Sequence, residues 1–254
     1  MRITLLGTGD ACGVPVYGCK CDVCRNARAC NVCRLPSSAL LETQCERILI
    51  DAGLPDLANR FPPGVLTRIA LTHFHPDHVQ GLFHLRWGCV PPVEIFCPPD
   101  KEGCADLYKN PGILKFRQLK PYEPVLVNDL SITPLPLIHS KTTFGYCFES
   151  AGKRICYLTD TIGLPPETRD YLMKRTCDLM VVDCSYPPCG KKPGNHNDIN
   201  HVLQMHSEIA SRQVVLTHVG HELDRWLGGH KDLLPEGMIA GADGMMIDVG
   251  QICF

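Results

Sequence analysis

Short apolar runs, each closed by a polar residue, recur along the chain and have the length and β-branched content of buried strands. The predicted strands cover 3–6, 38–44, 47–50, 68–72, 93–96, 154–158, 177–185 and 213–216, with a hairpin region over 125–134. The predicted helices cover 54–61, 79–87 and 198–211, with a loop and helix over 98–109. Asn197 or Asp198 is expected to cap the helix over 198–211. Because the helices lack the regular rhythm of a parallel β-α-β sheet, we predict an α/β fold of packed mixed sheets with outer helices.

Four apolar runs end in a residue that can bind a metal. Leu71-Thr72 is followed by His73, Leu137-Ile138 by His139, Leu158-Thr159 by Asp160, and Leu216-Thr217 by His218. Sheet proteins often place functional groups at the ends of strands. One such residue alone is more often a satisfied polar side chain, but four together predict convergence on one site.

The segment from His73 to His78 places four candidate ligands within six residues. On an extended backbone His73 and His75 point the same way, whereas Asp77 and His78 come from the turn that follows. Two diverging pairs of ligands suit two metal ions a few ångström apart, although a histidine-rich surface loop without metal is the alternative. Gly81, just beyond, is expected to allow tight packing beneath this loop.

Length and charge narrow the class of protein. The 254 residues fit one domain, 1–254, with two small domains as the alternative. A net charge of -2, from 25 basic and 27 acidic residues, gives no sign of a nucleic-acid or membrane partner. We find no apolar run of eighteen residues and only a short one before Gly7, so we expect no signal peptide and a cytoplasmic location. The oligomeric state stays open, with a homodimer allowed.

Most of the sixteen cysteines fall into two classes. In a cytoplasmic chain of this length most should be reduced, and free cysteines among apolar neighbours behave as small buried hydrophobes. We assign that role to Cys45, Cys89, Cys97, Cys104, Cys147, Cys156, Cys177, Cys184 and Cys253. The closely spaced cysteines near the N-terminus instead predict a zinc knuckle within 18–34. Tetrahedral zinc would take three thiolates from Cys19, Cys21 and Cys24, and a fourth ligand from Cys30, Cys33 or a distant histidine.

These motifs together resemble a known superfamily. The H-x-H-x-D-H loop with His139, Asp160 and His218 resembles the metallo-β-lactamase superfamily, whose fold is an αββα sandwich of two mixed sheets with metals at one edge. Over nearly the whole chain, the sequence is similar to the phosphoribosyl 1,2-cyclic phosphate phosphodiesterases of the bacterial carbon-phosphorus lyase pathway. The matching stretches are Gly18-Cys19-x-Cys21-x-x-Cys24, Ile50-Asp51-Ala52-Gly53-Leu54, Asp77-His78-Val79-Gln80-Gly81-Leu82-Phe83, Leu85-Arg86-Trp87-Gly88, His139-Ser140-Lys141, Phe144-Gly145-Tyr146, Asn195-His196 and Leu216-Thr217-His218.

The resemblance implies a complete set of ligands. It assigns one divalent metal to His73, His75 and His139, a second to Asp77, His78 and His218, and a bridging position to Asp160. It also implies a structural zinc on Cys19, Cys21, Cys24 and His221, with His196 near the leaving group. The chain departs from the family pattern at Cys30 and Cys33, so an all-sulfur zinc site on Cys21, Cys24, Cys30 and Cys33 remains the alternative.

The implied activity is phosphodiester hydrolysis. The substrate would be a small anionic sugar, 5-phosphoribosyl 1,2-cyclic phosphate, and the product ribose 1,5-bisphosphate. Asp77 could orient the nucleophile, His196 could protonate the departing sugar oxygen, and Ser140 and Lys141 could grip a phosphate. Imidazole and carboxylate ligands suit Mn, Zn or Fe alike, and manganese is favoured by the resemblance alone. The alternatives are a tRNA 3′-processing nuclease, another cyclic phosphodiesterase of the same fold, and a non-catalytic metal-binding partner in cofactor biosynthesis.

Overall fold

Two seven-stranded mixed sheets make up the framework of residues 1–189 and 194–250, the part of the chain described by our computed structural model. The first sheet contains, in spatial order, β14 (Met246–Asp248), β1 (Arg2–Gly7), β2 (Ser38–Glu42), β3 (Arg47–Ile50), β4 (Arg68–Ala70), β5 (Val93–Cys97) and β6 (Leu114–Gln118). The second contains β13 (Met238–Ala240), β12 (Val214–Thr217), β11 (Leu179–Asp183), β10 (Lys153–Leu158), β9 (Phe144–Ser150), β8 (Leu130–Pro136) and β7 (Val125–Val127). Strands β3 to β6 and β10 to β13 run parallel, and the remaining neighbours are antiparallel.

Helices cover the outer faces of both sheets. The helices are α1 (Asp22–Cys30), α2 (Leu57–Arg60), α3 (Pro76–Val79), α4 (Leu82–Leu85), α5 (Ala105–Lys109), α6 (Pro166–Met173), α7 (Ile199–Glu208) and α8 (His221–His230), followed by a 3₁₀ turn over Lys231–Leu233. Side chains from the two inner sheet faces share one buried cluster, which includes Ile50, Tyr146 and Val181. Separate clusters lie under α2 and α4 and under α6, α7 and α8. The predicted αββα sandwich of two mixed sheets is therefore confirmed.

The predicted helix over 79–87 is wrong in its bounds. The chain forms two short helices, α3 and α4, because the Gly81 N–H leaves the helical pattern and donates to the Ala52 carbonyl at 2.8 Å. A Cβ at Gly81 would lie 2.6 Å from the Leu54 carbonyl oxygen, which confirms the tight packing expected there. The helix predicted over 198–211 is shorter, and Asp198 caps it by accepting from the His201 N–H.

The burial predicted for the nine scattered cysteines is correct for five of them. Cys97, Cys147, Cys156, Cys177 and Cys184 are buried. Cys104 is half-buried, and the prediction is wrong for Cys45 and Cys89, which are exposed because they lie in the β2–β3 turn and in the loop after α4. Cys253 lies outside the described residues.

Gly53, in the turn after β3, should tolerate a larger side chain least well. A methyl group there would lie 1.5 Å from the Asp77 carbonyl oxygen. Since overpacking costs about 1–3 kcal/mol, we expect Gly53→Ala to lower the free energy of unfolding by at least about 2 kcal/mol, measured by urea denaturation. Gly228 in α8 has open space around its Cα and is the matched control. Gly228→Ala should raise stability by up to about 1 kcal/mol, whereas unchanged stability in Gly53→Ala would contradict the close contact.

Candidate metal centre

Loops after four strands meet at one edge of the sandwich. His73 follows β4 of the first sheet, and His139, Asp160 and His218 follow β8, β10 and β12 of the second. Two hydrogen bonds join the sheets at this edge, from the buried Tyr146 hydroxyl to the Leu71 carbonyl at 2.6 Å and from the Phe144 N–H to the Thr72 carbonyl at 2.9 Å. The loop over 73–78 is therefore held directly against the strand ends of the opposite sheet.

The first ligand group consists of His73, His75 and His139. Nδ1 of His75 lies 2.8 Å from His73 Nε2 and 3.1 Å from His139 Nε2. The three atoms face one point, with the His73 and His139 side chains buried and His75 closer to solvent.

The second ligand group consists of Asp77, His78 and His218. Oδ2 of Asp77 lies 3.3 Å from His78 Nε2 and 3.9 Å from His218 Nε2. Both imidazoles are buried, and their Nε2 atoms form no hydrogen bond with any other described residue. A buried polar atom without a partner is energetically costly. A metal ion bound to these two nitrogens would remove that cost.

Asp160 extends between the two groups. Its Oδ1 lies 3.9 Å from His73 Nε2, 3.8 Å from His139 Nε2 and 3.4 Å from His218 Nε2. Its Oδ2 lies 3.2 Å from His78 Nε2. Two ligands bound tetrahedrally about 2.1 Å from a metal are about 3.4 Å apart, which matches these separations. The residues therefore fit a pair of divalent ions with one shared carboxylate.

The far side of each imidazole is fixed by a second contact. The contacts are His73 Nδ1 with Thr72 Oγ1 (3.0 Å), His75 Nε2 with Ser140 Oγ (3.5 Å), His78 Nδ1 with Asp51 Oδ2 (2.8 Å), His139 Nδ1 with the Asn195 carbonyl (3.3 Å) and His218 Nδ1 with Ser185 Oγ (2.8 Å). Such contacts select the tautomer that leaves the other nitrogen free to bind a metal.

Buried carboxylates that sequence reasoning did not assign to the site support the centre. Asp51 accepts bonds from the Thr72 N–H at 2.8 Å and from the Thr72 hydroxyl at 2.9 Å, in addition to His78. Asp183 accepts from His196 Nδ1 at 2.8 Å and from the Ser185 hydroxyl at 3.1 Å. Both carboxylates close an apolar strand, so the pattern that pointed to Asp160 could have found them.

The electrostatics favour a cation at this site. Burial works against charge on Asp160, but the His218, His78 and His73 imidazoles hold the pKa of its carboxyl well below its usual range. Burial likewise opposes charge on His218, yet Asp160 and Asp77 raise its pKa to about 9. Burial lowers the pKa of His73 well below normal. The carboxylates thus stabilise positive charge at the second ligand group. Bound metal ions can supply that charge in place of protons.

The predicted phosphate-gripping residues lie at the rim. Ser140 is next to His139 and contacts His75, as described above. Lys141 Nζ lies 3.9 Å from Oε2 of the exposed Glu102. A second anion could replace that carboxylate, because an exposed ion pair contributes little stability.

The N-terminal cysteines form a separate candidate zinc site. Nδ1 of His221 lies 3.5, 3.6 and 3.7 Å from the sulfurs of Cys19, Cys21 and Cys24. Tetrahedral zinc with ordinary bond lengths separates sulfur and nitrogen ligands by about 3.6 Å. Cys21 caps α1. A hydrogen bond from the Cys24 N–H, and to a lesser extent one with His221, lowers the pKa of the Cys21 thiol to about 6. Cys30 and Cys33 are exposed and lie outside this group of four.

A model of the β-lactamase superfamily domain matches residues 46–219. The chain belongs to the metallo-β-lactamase superfamily. Sequence resemblance to that superfamily is thereby confirmed, and membership together with the His/Asp groups supports a metal-dependent hydrolase that uses divalent ions. Among the described helices, none has the length and apolar character required to cross a bilayer.

Individual relatives carry different names. An octanoyltransferase from Porphyromonas gingivalis is 30% identical over 261 residues, covering 96% of this chain and 51% of the relative. A ribonuclease Z from Picosynechococcus is 30% identical over 184 residues, 65% of this chain and 53% of the relative. The chain thus spans about half the length of these curated relatives. The crystal structure of a diphosphatase of the PhnP family superposes with a TM-score of 0.80 at 23% identity, covering 97% of each chain.

Loss of a central ligand should empty the centre without unfolding the protein. We expect Asp160→Ala and His218→Ala to abolish hydrolysis and lower metal content. Both residues lie beyond strand ends and outside the hydrophobic clusters, so the fold should persist with some loss of stability from alanine in left-handed backbone. Elemental analysis and circular dichroism would test this. Asp160→Asn is the control for backbone effects, and two bound metals with near-normal turnover in either alanine variant would disprove the assignment.

The zinc assignment yields a paired test. His221→Ala should lower zinc content and the melting temperature, since it removes the ligand that ties residue 24 to residue 221. Cys30→Ser should be nearly silent in both measurements. A silent His221→Ala together with zinc loss in Cys30→Ser would instead favour the all-sulfur site.

Proposed function

We propose that the protein is a dinuclear-metal phosphodiesterase that hydrolyses 5-phosphoribosyl 1,2-cyclic phosphate to ribose 1,5-bisphosphate in phosphonate degradation. The observation that carries the proposal is the position of Asp160, within 3.2–3.9 Å of nitrogens from both ligand groups. Such a shared carboxylate suits two divalent ions beside one phosphoryl group. The sequence resemblance and the similar fold of a PhnP-family diphosphatase support the choice of a phosphate ester.

When bound, the two ions lower the pKa of water and neutralise charge on phosphoryl oxygens. Asp77 is the residue best suited to orient the attacking water, because it is partly open to solvent while its carboxylate lies close to the Nε2 atoms of His78 and His218. The ligand set accepts manganese, zinc or iron, and we favour manganese from the resemblance.

His196 is the proposed general acid. Asp183 holds its Nδ1 at 2.8 Å, which leaves Nε2 to hold a proton. The ring stacks on His218 with centroids 4.5 Å apart and lies 5.1 Å from the His139 ring. A proton on Nε2 would therefore be available to the sugar 2-oxygen as it departs.

Ser140 and Lys141 are proposed to bind the 5-phosphate of the sugar. The hydroxyl and the ammonium group come from adjacent positions after ligand His139, so they can contact an anion held beside the first ligand group. Exchange of the exposed Glu102 partner for phosphate would bring the Lys141 charge to the substrate.

Two other activities have a specific observation in their favour. The match to a ribonuclease Z favours cleavage of a tRNA precursor. The match of 96% of the chain to half of a protein named octanoyltransferase favours an acyl substrate, since an activated water can also attack a thioester carbonyl.

A comparison of substrates tests the proposal. Metal-reconstituted protein should show its highest kcat/KM for the cyclic ribose phosphate, lower values for a tRNA precursor, and the lowest for an octanoyl thioester. The Asp160→Asn variant serves as the control for contaminating activity. A higher kcat/KM for either of the other substrates would replace the proposed function with that activity.

The role of His196 can be separated from substrate binding by leaving-group chemistry. General acid catalysis is worth about 10²- to 10⁴-fold and matters least for a leaving group that is stable as an anion. We expect His196→Ala to slow the sugar cyclic phosphate far more than an aryl phosphodiester. Asp183→Asn should show the same selectivity in weaker form, because it disturbs the imidazole without removing it. Equal loss on both substrates would indicate a role in binding.

A further inference from the structure

Three thiols meet on the helix-facing side of the second sheet, outside the metal centre. Cys147 of β9 and Cys156 of β10 are directly paired across the two strands, and Cys177 precedes β11. All three are fully buried in the cluster under α6 and α7. The sulfurs of Cys156 and Cys177 are 3.2 Å apart.

A buried arginine adjoins the three thiols. Arg154 is 2% exposed, and its Nε donates to the Cys147 sulfur at 3.1 Å. Its other donors bind the carbonyls of α6 and of Arg175, and the guanidinium lies over the Tyr171 ring. The carboxylate of the nearby Asp178 accepts a hydrogen bond from the Arg154 main-chain N–H. The same carboxylate pairs with the side chains of Lys153 and Arg212. The Cys147 sulfur is therefore the side-chain hydrogen-bond acceptor of the buried Arg154 guanidinium.

This arrangement lowers the pKa of two of the thiols. A hydrogen bond from Cys156 is the main factor that lowers the pKa of Cys147, and the Arg154 charge adds to it. The same two influences lower the pKa of Cys177, although burial opposes them. Cys156 correspondingly keeps its proton, with a pKa well above normal. Thiolates, unlike thiols, react readily with electrophilic oxidants.

We propose that Cys156 and Cys177 form an oxidation site, at which a small peroxide converts the two thiols into a disulfide. The Cys177 thiolate attacks a peroxide oxygen, the O–O bond breaks, and the product is a sulfenic acid with hydroxide, which takes up a proton as water. The Cys156 sulfur then displaces the sulfenic hydroxyl, which leaves as a second water. Two thiols and one hydrogen peroxide thus give one disulfide and two waters. Hydrogen peroxide is small enough to reach a buried site through local opening of the fold.

The crosslink would join β10 to the start of β11. The first strand leads to Asp160, the shared carboxylate of the site, and the second ends in Asp183, which supports His196. Because a disulfide restricts the unfolded chain, the oxidised protein should resist denaturant better than the reduced form.

Mass spectrometry of the metal-loaded protein tests the proposal. The protein is treated with hydrogen peroxide, quenched with catalase, unfolded in the presence of an alkylating agent and digested without reduction. We expect a crosslinked peptide joining Cys156 to Cys177, with loss of both alkylated forms. Cys184 is the internal control, because it is equally buried and its sulfur faces the Tyr186 carbonyl at 3.8 Å. It should remain a free thiol.

Two results would overturn the proposal. One is oxidation of the exposed Cys45 and Cys89 while Cys156 and Cys177 remain alkylated; the other is a crosslink between Cys147 and Cys156. A second measurement uses Cys177→Ser, which should abolish both the crosslink and the gain in denaturant resistance. A gain that persists in this variant would likewise exclude the assigned disulfide.

Discussion

The carboxylate of Asp160 lies almost beyond the reach of water, surrounded by imidazoles from both sheets. A charge in such a place is tolerated only when other charges and hydrogen bonds compensate for its lost hydration. The contacts around Asp160 provide this compensation. The strand ends bring nitrogen atoms within 4 Å of it, and the buried Asp51 and Asp183 orient those nitrogens from behind. The two sheets thus act as rigid supports for one compensated charge.

Much of this centre could be predicted from the sequence because its ligands follow apolar runs in a regular way. His73, His139, Asp160 and His218 stand out for that reason, and the strands before them are clearly apolar. The sequence patterns do not predict helices α1, α6 and α8 or strands β6, β9, β13 and β14. Three-residue edge strands show little periodicity, and β14 is largely exposed. Short elements of this kind are determined by neighbours distant in sequence.

The site also contains features that local patterns do not specify. The choice between two sets of zinc ligands depends on His221, which lies some two hundred residues from the cysteines and is brought near them by the path of β12 into α8. The supporting role of Ser185 depends on the closeness of β11 and β12 at one edge. Sequence spacing can suggest the chemistry of a ligand, but contacts between distant segments decide which ligands meet.

Relatives of this chain carry unlike names, and a shared fold does not by itself fix the substrate. In this protein most of the imidazoles and carboxylates of the centre are buried, whereas Lys141 and Glu102 lie at the rim. Differences in substrate between relatives are therefore expected to arise in the rim, where residues can change without disturbing a buried charge.

Left-handed backbone occurs at three positions of the centre, Asp51, Asp160 and His218, with φ of 58°, 60° and 58°. For residues other than glycine this conformation is unfavourable, and aspartate and asparagine tolerate it best. Attempts to engineer a different metal preference, for example by placing cysteine or glutamate at 218, would face a cost in backbone energy before any question of coordination. We expect natural substitutions at these positions to be confined to a small set of amino acids for the same reason, independently of which ion is bound.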